Sequence, residues 1–129
     1  MKFHEDGTLP EKDQIFVFGS NLAGRHGAGA AKKALDYGAK YGIGIGLYGQ
    51  TYAIPTKDAY IETLPIASVA TFISKFCEFA DTNSNLQFFI TRVGCGLAGF
   101  SDDQIAPLFF GCSDNCDFPE NWKSFLETK

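Results

Sequence analysis

Residues Ile15 to Ala34, IFVFGSNLAGRHGAGAAKKA, constrain this chain more than any other stretch. Four apolar, strand-favouring residues (Ile15, Phe16, Val17, Phe18) stop at Gly19-Ser20-Asn21. A loop carrying Gly24, Gly27 and Gly29 then opens into a helix-like run with two lysines. An apolar run without alternation predicts a strand covered on both faces. Glycine lets the backbone come close to a ligand, and a helix N-terminus offers unpaired N–H groups to an anion. The pattern predicts a phosphate cradle; a tight βα turn built for close helix–sheet packing would read the same way.

The rest of the chain continues the alternation. Residues 1–13 are polar, contain Gly7 and Pro10, and read as a lead-in arm. Gly27–Ala39 reads as a helix ended by Gly38 and Gly42. The glycine-dense residues 42–50, GIGIGLYGQ, suggest a closely packed edge segment. Thr51–Pro55 reads as a second buried strand with Pro55 at its end, followed at once by Thr56, Lys57 and Asp58. Ile66, Val69, Ala70, Ile73, Phe76, Cys77 and Ala80 fall on one helical face, and Pro65 suits the first turn of that helix. Asp81–Asn85 is a polar loop before a third strand, Leu86–Val93. A second glycine loop, Gly94-Cys95-Gly96-Leu97-Ala98-Gly99-Phe100, comes next. Ser101 and Gln104 have capping-box spacing for a helix that Pro107 shortens or kinks. Residues 111–118 hold a turn and a short strand, and Pro119 opens a last helix with Trp122, Phe125 and Leu126 inward. Such alternation predicts an α/β layered fold with a largely parallel sheet. With 129 residues, 45% of them hydrophobic and 13 of them Phe, the chain forms a single domain, residues 1–129.

A net charge of −4 argues against a long basic face for duplex DNA but leaves room for one nucleotide. The N-terminus MKFHEDGTLP lacks the apolar core of a signal peptide, and no apolar run approaches the roughly 20 residues that span a bilayer. A cytoplasmic location without membrane contact is expected, with Cys77, Cys95, Cys112 and Cys116 reduced. Cys112 and Cys116 form a CxxxC spacing with no neighbouring pair or histidine, so no metal and no cofactor are expected.

Both glycine loops lie at strand C-terminal ends, the edge where parallel α/β sheets bind ligands. Two such loops could grip a diphosphate from both sides. The P-loop pattern is absent, and Gly94-x-Gly96-x-x-Gly99 leaves too little chain behind it for a Rossmann half. Lys57 should project onto the same edge, as a point charge for phosphate or, if desolvated, as a nucleophile toward an anomeric carbon. Asp58 is a general base or a turn residue. Arg25 and His26 could reach a phosphate or ribose, or belong to the surface of a mobile loop. Asn21 could bond a ribose hydroxyl or hold the loop in an Asx turn. Cys95, between glycines and without a histidine partner, suits a small loop residue better than a nucleophile. Phe88, Phe89, Phe109 and Phe110 read as core. No Ser-His-Asp set, HExxH motif or metal carboxylate pair is present.

The order of these pieces resembles the macro-domain family. NLAGRHGAGAA (Asn21–Ala31) is similar to its first phosphate loop. TYAIPTK, the Ile66–Phe79 helix and ITRVGCGLAGF resemble the branch that holds DNA ADP-ribosyl glycohydrolase antitoxins and terminal ADP-ribose glycohydrolases; phage-related proteins also look like this. The resemblance implies a three-layer α/β/α fold with a mixed, mostly parallel sheet and ADP-ribose at the strand ends. It implies Asn21 and the loop Gly24, Arg25, His26, Gly27, Gly29 on the distal ribose and diphosphate. Gly94, Cys95, Gly96, Leu97, Ala98, Gly99 and Phe100 would form the opposite wall, and Lys57 would act at the anomeric carbon. Ala98 stands where some members carry an acid, no glycine-aspartate lead for the adenine contact is evident, and Arg25 and His26 replace an all-glycine loop. Two functions follow as expectations. One is a hydrolase removing ADP-ribose from a modified nucleobase in DNA or from a protein. The other is a reader that binds ADP-ribose or a related NAD-derived nucleotide without turnover. A purely structural protein would leave both glycine loops unexplained.

Overall fold

A computed structural model describes residues 1–127; Thr128 and Lys129, the end of the expected domain, lie outside the described residues. The fold is α/β in three layers. Six strands, β1 (Lys2–His4), β2 (Gln14–Asn21), β3 (Gly46–Tyr48), β4 (Thr51–Lys57), β5 (Gln87–Ile90) and β6 (Cys116–Pro119), form one sheet in the order β1-β6-β5-β2-β4-β3. All neighbours are parallel except β3, which runs antiparallel to β4 at the edge.

One face of the sheet carries the larger core. Ile15 and Val17 of β2, Ile54 of β4 and Phe88 and Ile90 of β5 meet α2 (Ile66–Thr82), which buries Val69, Ile73, Phe76 and Ala80 as its spacing predicts. Ile66, expected on that face, is 40% exposed because it opens the helix beyond the sheet. Helices α3 (Asp102–Ile105) and α4 (Lys123–Leu126) complete this layer with Ile105, Trp122 and Leu126. Pro107 ends α3 early, and the chain continues as a 3₁₀ turn, Ala106–Phe109. The capping box is present: the Ser101 N–H donates to the Gln104 Oε1 at 3.0 Å. On the other face, α1 (Gly29–Ala34) lays Ala31 and Ala34 over Phe16, Phe18, Ala53 and Phe89.

Several boundaries differ from expectation. Residues 2–4 are not an arm but the edge strand β1, paired with β6. The first helix is short: it starts at Gly29, turns 3₁₀ over Leu35–Tyr37 and stops at Gly38, whose φ of 99° suits glycine alone. Pro55 lies inside β4 rather than at its end. Pairing with β3 reaches only Ala53, so β4 has a free flank there and tolerates a residue without an N–H. The third strand is confined to Gln87–Ile90.

Candidate functional site

The two glycine loops do converge. A Cβ built on Gly19, at the end of β2, would stand 3.3 Å from the Gly94 nitrogen after β5. The loops then diverge around a cleft of about 780 Å³. This lies within the usual range for small-molecule sites, about 300–1,000 Å³. The cleft starts at the C-terminal strand edge and continues down the sheet face beside α1, where Phe16 and Phe89 form part of its floor.

Asn21, Arg25, Gly27, Gly29, Lys57, Gly94, Cys95, Gly96, Leu97 and Ala98 line this cleft. At Gly27 and Gly96 an added Cβ would meet no atom within 4 Å, so their backbones face open space in which a ligand can touch the main chain. The Asn21 amide braces the loop: its Nδ2 donates to the Arg25 carbonyl at 2.8 Å and its Oδ1 accepts from the Arg25 N–H at 2.9 Å. Lys57 ends β4 half-buried, and among the described residues no carboxylate pairs with it. Next to it, Ile61 holds a φ of 65°, a costly conformation for a β-branched residue. Asp58 enforces this turn by accepting the Tyr60 and Glu62 N–H groups on Oδ1, and it does not line the cleft.

Four expected residues lie elsewhere. His26 is fully buried and outside the cleft. Its Nε2 donates to the Lys40 and Ile43 carbonyls at 2.9 and 3.1 Å, and Phe18 packs against its edge, so it anchors the glycine-dense segment beneath the loop. Gly24 serves the same purpose. A Cβ there would stand 2.5 Å from the Gly42 carbonyl carbon, and φ is +70°. Gly99 and Phe100 turn away from the cleft; the Phe100 ring lies against Gly94, within 3.2 Å of an added Cβ. Phe110, expected in the core, is 58% exposed. The Cys95 thiol is pushed up to about 12 by burial, reinforced by the Asp102 carboxylate, and is no nucleophile at neutral pH.

Other lining residues were not foreseen. His4, Asp6, Thr8 and Leu9 form one wall, from a segment expected to be an arm. Arg92 is clamped in bidentate fashion by Asp102, with Nε–Oδ1 at 3.0 Å and Nη2–Oδ2 at 2.7 Å, and reaches Asp6 through Nη1 at 3.3 Å. The guanidinium holds the Asp102 carboxyl below the usual carboxylate range, and the Trp122 indole N–H adds a 2.7 Å bond. A basic residue two positions before Gly94 was the one signal in the sequence for Arg92.

No family model, curated protein or solved structure matches the chain. The site therefore stands on its own geometry. Among the described residues there is no group of His, Cys, Asp or Glu arranged to hold a metal ion, and no helix long and apolar enough to cross a membrane.

Proposed function

We propose that this protein binds ADP-ribose, or a related NAD-derived nucleotide, in the cleft between its two glycine loops. The observation that carries this reading is the pair Gly27 and Gly96, whose backbones face open space from opposite loops at the strand ends. Backbone that leaves such open space lets diphosphate oxygens approach the main chain without demanding a basic surface. Lys57, Arg25 and Lys33 supply positive charge around the same space.

Removal of ADP-ribose from a modified nucleobase or protein is the activity that this arrangement serves. In this reading Lys57 acts at the anomeric carbon: its deprotonated Nζ attacks C1″ as the bond from C1″ to the nucleobase or protein side chain breaks, the leaving group takes up a proton, and water then releases ADP-ribose from the lysine. A reader without turnover is favoured by a different observation. Ala98 supplies no acid, and among the described residues no carboxylate forms an ion pair with Lys57.

Calorimetric titration of ADP-ribose into the wild type and Lys57→Ala tests binding. Incubation of both with ADP-ribosylated DNA and protein tests turnover. Product from the wild type alone supports the hydrolase, and binding without product supports the reader. Absence of binding at millimolar ADP-ribose overturns both.

A further inference from the structure

Three thiols meet on the α2 side of the sheet. Cys112 stands in the turn before β6 and Cys116 opens that strand, with their sulfurs 3.8 Å apart. Cys77 of α2 also interacts with Cys112. None of the three lines the cleft, and Cys116 stands at the edge where β6 begins, opposite the strand ends that bound the cleft. The turn between the two sulfurs is braced. Asn115 is 9% exposed, and its Nδ2 lies 3.0 Å, 3.1 Å and 3.0 Å from the carbonyls of Ala80, Asn83 and Leu86. Its Oδ1 accepts the Ser113 hydroxyl at 2.6 Å, and its own carbonyl accepts the Phe88 N–H at 2.9 Å. These bonds tie the turn to the end of α2 and to β5, and so keep Cys112 and Cys116 side by side.

A disulfide holds its sulfurs about 2.05 Å apart, so this pair must close by roughly 1.8 Å, which rotation about the two Cα–Cβ bonds can supply. The two thiols are not equivalent. Cys112 is 7% exposed and follows the exposed Phe110 and Gly111, whereas Cys116 is 1% exposed. The S–H groups of Cys116 and Cys77, with the Ser113 N–H, pull the Cys112 thiol below its ordinary value against the opposing effect of burial. Cys116 and Cys77, each donating to Cys112 and each buried, are pushed up. The thiolate is the form that attacks an oxidant. Exposure and hydrogen bonding therefore assign the attacking role to Cys112 and the resolving role to Cys116.

We propose that Cys112 and Cys116 form an oxidation site, a thiol pair that a hydroperoxide converts to a disulfide. The Cys112 sulfur attacks one peroxide oxygen: an S–O bond forms, the O–O bond breaks, and hydroxide leaves as water with the proton that the thiol gave up. Cys116 then loses its proton and attacks the Cys112 sulfur: the S–S bond forms, the S–O bond breaks, and a second water leaves. Two thiols are oxidised and one hydrogen peroxide is reduced to two waters. The site is separate from the cleft and does not rest on the nucleotide-binding reading.

The test is brief exposure of the reduced, full-length chain to hydrogen peroxide at pH 7, capture of the remaining thiols with N-ethylmaleimide, and digestion before aspartate residues. That cleavage puts Cys77, Cys95, Cys112 and Cys116 on separate peptides for mass spectrometry. A disulfide joining the Cys112 and Cys116 peptides is expected, reversed by dithiothreitol, with Cys112 consumed about tenfold or more faster than Cys95. In Cys77→Ala/Cys116→Ala no neighbouring thiol can resolve the intermediate, and dimedone should label a sulfenic acid at Cys112. The proposal is overturned if wild-type Cys112 links to Cys77 instead, if Cys95 is oxidised as fast as Cys112, or if the link forms only after unfolding in urea. A folded double variant that takes no dimedone at Cys112 overturns it too. Should that variant fail to fold, the wild-type linkage and the comparison with Cys95 decide it.

Discussion

Leu97 meets Gly29 across the mouth of the cleft: a Cβ on Gly29 would stand 3.4 Å from the Leu97 Cδ1. The two glycine loops thus touch twice, at Gly19 and Gly94 below the ligand space and at Gly29 and Leu97 above it. Leu97 is nonetheless 68% exposed, so it contributes little to the core. Leu97→Ala should leave the melting temperature within about 2 °C of wild type, since exposed positions cost within about 0.5 kcal/mol. It should weaken ADP-ribose binding several-fold through faster dissociation, read by surface plasmon resonance.

The glycines separate into two kinds that one pair of variants distinguishes. Gly24→Ala drives a Cβ to 2.5 Å from the Gly42 backbone at a φ of +70°. Neither partner can yield cheaply, and a loss of about 2–4 kcal/mol in urea denaturation is expected. A Cβ at Gly96 meets no protein atom within 4 Å, so Gly96→Glu should unfold at the wild-type urea concentration. Its carboxylate would enter the cleft, so ADP-ribose binding should vanish. Unchanged affinity in Gly96→Glu would show that the diphosphate lies elsewhere.

Asp102 ties Arg92 and Trp122 together, and its folded-state carboxyl titrates below the usual range. A depressed pKa contributes stability that is present above the unfolded value of about 3.9 and lost as pH falls through the folded one. Asp102→Asn should therefore cost about 1–3 kcal/mol at pH 7, and the gap from wild type should narrow below about pH 4. Urea midpoints across this range check it. A penalty of the same size at pH 3 would assign the loss to shape rather than charge.

Cys95 lines the cleft, yet burial and Asp102 push its thiol up to about 12. Alkylation by iodoacetamide at pH 7.5 should be much slower at Cys95 than in the urea-unfolded chain, as followed by peptide mass spectrometry. Modification at the unfolded rate would contradict the described environment.

The layered architecture was legible because its signals are local. The apolar spacing of Val69, Ile73 and Phe76 specifies α2, and the run Ile15–Phe18 specifies a doubly covered strand. Lys57, Gly27 and Gly96 were placed near strand ends by the sequence even though each strand ends elsewhere than its letters suggest: β2 runs on to Asn21, β4 to Lys57, and β5 stops at Ile90. What stayed hidden depends on partners distant in the chain. Nothing local marks Lys2–His4 as a strand; its pairing with β6 does. His26 looks polar in a loop, and only the carbonyls of Lys40 and Ile43 make it a buried anchor. Gly24 and Gly96 are indistinguishable by letter and differ only in what stands opposite them.

The pairing of β1 with β6 also bears on the order in which this molecule is assembled. His4 and Asp117 are 113 positions apart, whereas β5, β2 and β4 can align before either outer strand is in place. Closing so long a loop is entropically unfavourable until its two ends have a finished surface to land on. The wall formed by His4, Asp6 and Leu9 therefore depends on the rest of the sheet and contributes little to holding it together. Amide hydrogens of residues 2–4 should exchange well ahead of those in β2 and β4, so that the cleft opens at its β1 end while the interior stays intact.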